Sequence, residues 1–326
     1  MPATTLTFES PQFLHDLLGK QNHHLRTLSQ ALALKTTSRD NWLKLDGTEA
    51  SIARAKAVLA EAEKIRREGN EITPSLVNML LKNADRPWTD TPAEQILAHK
   101  LLGTARKPAV LAKTKGQLEY LQAMRDNEVV FGVGPAGTGK TYLAMAQALQ
   151  TLRNKDVQRI VLTRPAVEAG EALGFLPGDL KEKIFPYLRP LYDALFEMVE
   201  NEEAERMIER NIVEIAPLAY MRGRTLKNSF VILDEAQNTT TEQMLMFLTR
   251  LGEGSRCVVT GDPSQVDLRR GMRSGLAEAL QILPRVEGVH FVKFESTDVV
   301  RLPVVQRIIE AYREHRGTGE SDSAQK

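Results

Sequence analysis

One cysteine, Cys257, stands among 326 residues. A single thiol excludes a disulfide framework and a cysteine-built zinc site. Set in the apolar run Arg256-Cys257-Val258-Val259-Thr260, it reads as a small core residue. No run approaches the roughly 18 apolar residues of a membrane span, so no membrane partner is expected. Residues 1–10 are polar and lack an apolar stretch, which argues against a secretory leader. The expected location is the cytoplasm. Charge of one sign is missing too: 43 Lys and Arg against 42 Asp and Glu leave a formal net charge of +1. Such a chain has no global attraction to nucleic acid or lipid, so any basic surface must be local. No internal repeat is found. What remains is an ordinary globular composition, 42% apolar and 26% charged, at a length that suits about two domains.

The strongest signal lies between Glu128 and Leu149, where an apolar β-rich run, a glycine-rich turn and a helix-spaced apolar run follow one another. The turn, Gly134-Pro135-Ala136-Gly137-Thr138-Gly139-Lys140-Thr141, fits the phosphate-binding pattern G-x-x-x-x-G-K-[ST]. Its glycines permit positive φ and close approach, so backbone N–H groups can converge on an anion. The helix that follows adds its positive end. Lys140 would reach the β- and γ-phosphates of ATP and the Thr141 hydroxyl would ligate Mg²⁺; Tyr142 completes the expected cofactor-binding set. A chance glycine turn would lack the flanking strand and helix.

Residues 4–70 read as a small α+β unit in the order strand–helix–helix–strand–strand–helix, the last helix burying Ile52, Ala55, Val58, Leu59 and Ala62. This order resembles the RNA-binding KH domain, and Gly19-Lys20-Gln21-Asn22 lies where that family clamps RNA backbone with a GXXG loop. Asn22 replaces the second glycine, which leaves RNA clamping and plain docking both open. Residues 71–112 read as a helical connector, with helices over 74–84 and 93–102. From 113 to 316, strands alternate with helical patterns, as in a mostly parallel sheet with helices on both faces. The expected strands are Glu128–Val133, Arg159–Thr163, Ile212–Ala216, Ser229–Asp234, Arg256–Thr260 and Val289–Phe294, with a closing helix over 303–315. Residues 317–326 are polar and read as a disordered tail.

The second signal is Phe230-Val231-Ile232-Leu233-Asp234-Glu235-Ala236-Gln237, a buried strand ending in two carboxylates. Asp234 would hold Mg²⁺ with Thr141, and Glu235 would orient and deprotonate the attacking water. In Gly261-Asp262-Pro263-Ser264-Gln265, Gln265 would sense the γ-phosphate. Together these resemble motifs II and III of superfamily 1 helicases. Thr163-Arg164-Pro165-Ala166 resembles their motif Ia, a nucleic-acid backbone contact. Gln117 sits where those enzymes read adenine. Only residues 266–326 follow Gln265, too few for a second RecA-like lobe. The arginine that completes the site is therefore expected in cis or from a neighbouring copy in a closed ring. Arg250, Arg301 and Arg224 are the candidates.

The stretches TRPAVEAGEALGFLPGDLKEKIFPYLRPLYDAL, RGRTLKNSFVILDEAQNTT, GDPSQVDL and DVVR together resemble the bacterial PhoH-like ATPases, in the branch with a KH-like front end. That resemblance implies a RecA-like P-loop NTPase domain preceded by the KH-like domain, ATP hydrolysis with Mg²⁺, a hexameric homo-oligomer and a role in RNA metabolism. It also implies a possible partner, an endoribonuclease of the YbeY type that matures ribosomal RNA. Three readings follow: an RNA-linked ATPase, a nucleotide-gated adaptor that docks a nuclease, and a small-molecule kinase. The carboxylate pair with the Gly-Asp-x-x-Gln turn argues against the kinase.

Overall fold

A computed structural model describes residues 2–67, 72, 74–83, 99–103, 107, 109–165, 180–269, 271–300, 304–305 and 308. It divides into two units, Met1–Ala98 and His99–Lys326.

In the first unit, β1 (Ala3–Thr7), α1 (Pro11–Leu18), α2 (His23–Leu32), β2 (Lys35–Arg39), β3 (Trp42–Asp46) and α3 (Glu49–Arg67) follow in the expected order. The sheet is antiparallel, in the order β1-β3-β2. Leu43 and Leu45 are fully buried while Trp42, Lys44 and Asp46 are not, the alternation of a sheet with one covered face. Ser10 caps α1 by accepting from Phe13 N, with Pro11 at the first turn. α3 buries the five residues expected of it, and Ile65 besides. In the turn before α2, Gln21 and Asn22 take left-handed backbone at φ 54° and 56°. Asparagine adopts that conformation more readily than most residues, so the backbone at Asn22 is accessible without a glycine.

The stretch 71–112 is shared between the units. Helix α4 (Pro74–Asn83) packs on α2 and α3 within the first. Leu101, expected at the end of a helix, instead forms an antiparallel bridge with Val110 in the second unit. Leu102 is left-handed at φ 54°, which ends any helix there.

The second unit is built on a six-stranded sheet, in the order β6-β5-β7-β8-β4-β9. Its elements are α5 (Lys115–Asp126), β4 (Val129–Val133), α6 (Lys140–Arg153), β5 (Arg159–Arg164), α7 (Leu180–Met198), α8 (Asn201–Glu209), β6 (Val213–Pro217), β7 (Ser229–Leu233), α9 (Thr241–Leu248), β8 (Arg256–Gly261), α10 (Gly275–Ile282) and β9 (Val289–Lys293). Every neighbouring pair is parallel, and each strand lies within one residue of its expected ends. β7 is buried along its whole length, as a central strand covered on both faces must be. One face packs Phe131, Val231 and Val259 under Phe247 of α9 and Leu276 of α10. β4, which leads into the glycine-rich turn, and the carboxylate strand β7 flank β8, the arrangement of a RecA-like α/β domain. The loop expected over 168–179, the tail and most of the closing helix lie outside the described residues.

Candidate nucleotide site

Strand register assembles the site. β5 pairs with β7 at Thr163↔Leu233, and β7 with β8 at Leu233↔Val259. The next residue on each strand is Arg164, Asp234 and Thr260, so three polar side chains meet where the sheet ends. The turn after β4 opens beside them, at the carboxyl ends of the strands where ligands of open α/β sheets sit.

Two glycines shape that turn. Gly134 has φ +147°, and a Cβ there would lie 2.5 Å from the Phe294 carbonyl oxygen. Gly139, at φ 84°, is the N-cap of α6 and has no side chain to satisfy the first-turn amides. These N–H groups stay available to an anion. The turn is braced from behind: Thr138 is buried, its Oγ1 donates to Pro135 O at 3.0 Å, and Val300 N donates to Gly137 O at 3.0 Å. Lys140 Nζ donates to Gly134 O and Pro135 O, both at 2.8 Å. Burial pulls this ammonium below its usual value, while the charges of Asp262, Asp234 and Glu235 oppose the shift.

Asp234 is 6% exposed, and its Oδ1 accepts from Thr141 Oγ1 at 2.6 Å and from Thr260 Oγ1 at 2.7 Å. Glu235 follows in left-handed backbone at φ 53°, an uncommon conformation at a candidate functional residue. Gln237 Nε2 donates to Glu235 Oε2, and Gln237 Oε1 accepts from Asp262 N at 3.0 Å. Asp262 in turn holds its own turn together, accepting from Ser264 Oγ at 2.7 Å and from Gln265 Nε2 at 2.6 Å. Burial would raise the Asp262 carboxyl, but the hydrogen bonds of Ser264 and Gln265 and the Lys140 charge outweigh it and hold it low.

These groups line one cleft of about 260 Å³, formed by Ala136, Gly137, Gly139, Lys140, Thr141 and Tyr142 on one side. Asp234, Glu235, Gly261, Asp262 and Gln265 line the other. Gly134 and Pro135 face Lys140 with their carbonyls. Burial, with the nearby Glu197 carboxylate of α7, raises the Tyr142 phenol.

The remaining expected residues lie elsewhere. Gln117 is 4% exposed, with Nε2 donating to Thr138 O at 2.9 Å and Oε1 accepting from Lys113 N at 2.7 Å. Both ends of the amide serve the protein backbone, so Gln117 braces the turn where an adenine reader was expected. Arg250 sits at the end of α9 and spends its guanidinium on the carbonyls of Met246 at 3.0 Å and Arg224 at 3.3 Å. Orphan carbonyls at a helix end draw such a cation. Arg224 forms a forked pair with Glu214, at 2.5 and 2.7 Å. Neither arginine lines the cleft, and Arg301 lies outside the described residues. The arginine beside the carboxylates is Arg164, read from sequence as a nucleic-acid contact: Nη2 is 3.4 Å from Glu235 Oε1 and Nη1 is 4.0 Å from Asp234 Oδ2. Gln237 and Thr260 also escaped the sequence reading, although Gln237 stands in the carboxylate motif itself.

The donor set suits a Mg²⁺–nucleotide: one hydroxyl, one carboxylate and a row of backbone amides. Among the described residues no cluster of three or more His, Cys, Asp or Glu could cage a metal alone. Mg²⁺ commonly uses one or two carboxylates, with phosphates and water completing its shell.

The family model for PhoH-like protein matches residues 109–313. The chain belongs to the PhoH-like family. The PhoH-like protein of Bacillus subtilis is 48% identical over 304 residues, covering 93% of this chain and 95% of that protein. That of Mycobacterium tuberculosis H37Rv is 48% identical, covering 95% of this chain and 87% of its own length. Protein PhoH of Escherichia coli K12 matches over 205 residues at 49% identity, 62% of this chain and 58% of that one. Among solved structures, Pif1 helicase from Candida albicans is 17% identical with a TM-score of 0.33, over 60% of this chain and 42% of that one. This PhoH-like chain is thus a P-loop NTPase by family and by site. Among the described residues no helix is long and apolar enough to cross a membrane.

Proposed function

We propose that this PhoH-like protein binds ATP with Mg²⁺ in the cleft, hydrolyses it, and uses the cycle on RNA as a ring of identical subunits in the cytoplasm. The observation that carries this reading is Glu235, set directly after the Asp234–Thr141 pair, at the mouth of the phosphate turn. Lys140 and the first-turn amides of α6 would hold the phosphates. Thr141 and Asp234 would hold Mg²⁺, which supplies charge neutralisation at the phosphate oxygens. Glu235 would orient the attacking water and accept its proton, and Gln265 would hydrogen-bond the γ-phosphate. Arg224 and Arg250 do not line the cleft, so the completing arginine would come in cis or from a neighbouring copy, and the second option makes a closed ring.

A second reading rests on one contact set. Arg164 and Gln237 engage both oxygens of Glu235, and a restrained base suits slow turnover. The protein would then be a nucleotide-gated adaptor that docks an endoribonuclease of the YbeY type. Steady-state ATPase rate with and without single-stranded RNA, for wild type and Glu235→Gln, separates the two. An RNA-driven enzyme is stimulated, and Glu235→Gln keeps ATP binding while losing on the order of a hundredfold or more in turnover. A low rate indifferent to RNA moves the reading to the adaptor. Near-normal turnover in Glu235→Gln removes Glu235 as the base.

A further inference from the structure

Arg164 ends β5 with its side chain 21% exposed, so its guanidinium depends on protein partners more than on water. It has three. Nη2 faces Glu235 Oε1 at 3.4 Å, Nη1 faces Asp234 Oδ2 at 4.0 Å, and Nη1 also donates to Tyr187 O at 3.3 Å. The first two partners belong to the candidate site. The third is a backbone carbonyl of α7. A rigid planar fork can serve two carboxylates and a carbonyl together, which a point charge on a flexible stem cannot.

We propose that Arg164 is a positioning residue that couples the base Glu235 to helix α7, so that filling the phosphate cleft is felt by α7 and the setting of α7 is felt by the base. This deepens the ATPase reading and rests on it for the role of Glu235. The physical basis is charge. Cation and phosphate charge arriving at Asp234 and Thr141 acts on a guanidinium 4.0 Å from Asp234 Oδ2, and its three interactions must redistribute. One of them is the tie to Tyr187 O. In the other direction, a shift of α7 pulls the fork and with it the carboxylate, whose other oxygen is held by Gln237. A base displaced by about 1 Å can lose on the order of a hundredfold in rate.

The experiment uses the full chain as wild type, Arg164→Ala and Arg164→Lys, with two readouts. The first is ATP turnover split into kcat and KM, beside the affinity for ADP and for a slowly hydrolysed ATP analogue, each with Mg²⁺. The second is amide hydrogen exchange across Leu180–Met198, with and without those nucleotides. In wild type, nucleotide is expected to change exchange in α7. In Arg164→Ala, exchange there should be faster without nucleotide and indifferent to it, with nucleotide affinity within about threefold of wild type and kcat lower by about tenfold or more. Arg164→Lys restores charge without the fork, so α7 should stay uncoupled. Full restoration of α7 coupling by lysine, or α7 exchange unaltered in Arg164→Ala, overturns the proposal. So does a kcat within about twofold of wild type in Arg164→Ala. If wild type hydrolyses no ATP, the ATPase reading fails, while the exchange comparison still decides whether Arg164 links the cleft to α7. If Arg164→Ala does not fold, Arg164→Lys carries the same exchange test.

Discussion

Thr260→Val separates the support of Asp234 from its chemistry. Thr260 is fully buried at the end of β8, and its hydroxyl donates to Asp234 Oδ1 at 2.7 Å. Valine keeps the shape and branching and replaces the donor with a methyl. A hydrogen bond to a charged acceptor is worth about 1.5–3 kcal/mol, and the new methyl returns about 0.8 kcal/mol of apolar burial. The net loss is about 1–2 kcal/mol, which for a unit of this size lowers Tm by about 2–8 °C. Ligand binding gives a second handle. Thr141 is the other hydroxyl on Oδ1, at 2.6 Å, and would turn to Mg²⁺ when the cation is bound, leaving Thr260 as the hydroxyl that orients the carboxylate. Loss of such a partner typically costs about tenfold to a hundredfold in metal affinity. Scanning calorimetry, with ADP titrations in Mg²⁺ and in chelator, measures both effects. The expected pattern is a lower Tm, ADP affinity weakened about tenfold in Mg²⁺, and little change in chelator. Wild-type Tm together with wild-type Mg²⁺ dependence would refute the reasoning. An equal loss with and without Mg²⁺ would instead mean that the whole phosphate turn had shifted.

Gln117→Ala strands Lys113 N and Thr138 O, at a cost of about 1–3 kcal/mol in stability, and should weaken ADP and GDP alike. A selective loss of ADP over GDP, measured by competition, would restore Gln117 as an adenine reader. The Glu214–Arg224 fork predicts a pH dependence of the opposite kind to a buried base. The hydrogen bonds of Arg224 hold the Glu214 carboxyl below its ordinary 4.5, against burial, so the fork stabilises fully above that value and its contribution disappears as pH falls through the lowered one. Stabilities of wild type and Glu214→Gln from urea unfolding should therefore differ by about 0.5–1.5 kcal/mol near pH 7 and converge as pH falls below the lowered value. A gap that widens on acidification would sink this account.

Local chemistry explains what could be read from the chain. A turn needing positive φ must spend glycines, and a helix needing a bare N-terminus must follow it, so residues 134–142 declare a phosphate site without any knowledge of the fold. Buried parallel strands read as apolar runs, which is why the sheet in the second unit was legible to within one residue at each strand end. Side-chain direction is a different matter. Gln117 lies in the first turn of α5 with Thr114 as N-cap, and nothing local decides whether its amide turns inward. That depends on Thr138 O returning beside it. Arg250 did carry a signal, since a guanidinium at a helix end followed by Leu-Gly is placed to cover carbonyls, and the demand for a completing arginine outweighed it.

Arg164 is the instructive case, because motif likeness and register gave it different partners. Likeness to a nucleic-acid motif turned it outward. Register turns it to the carboxylates: once β5 is known to lie beside β7 with Thr163 opposite Leu233, the residue after each must meet at the sheet's end. Strand order is a property of the assembled sheet and is written in no single segment. The two roles draw on one guanidinium, whose Nη1 and Nη2 already face Tyr187 O and Glu235. Any RNA contact that drew Arg164 away would remove one of the two holds on Glu235.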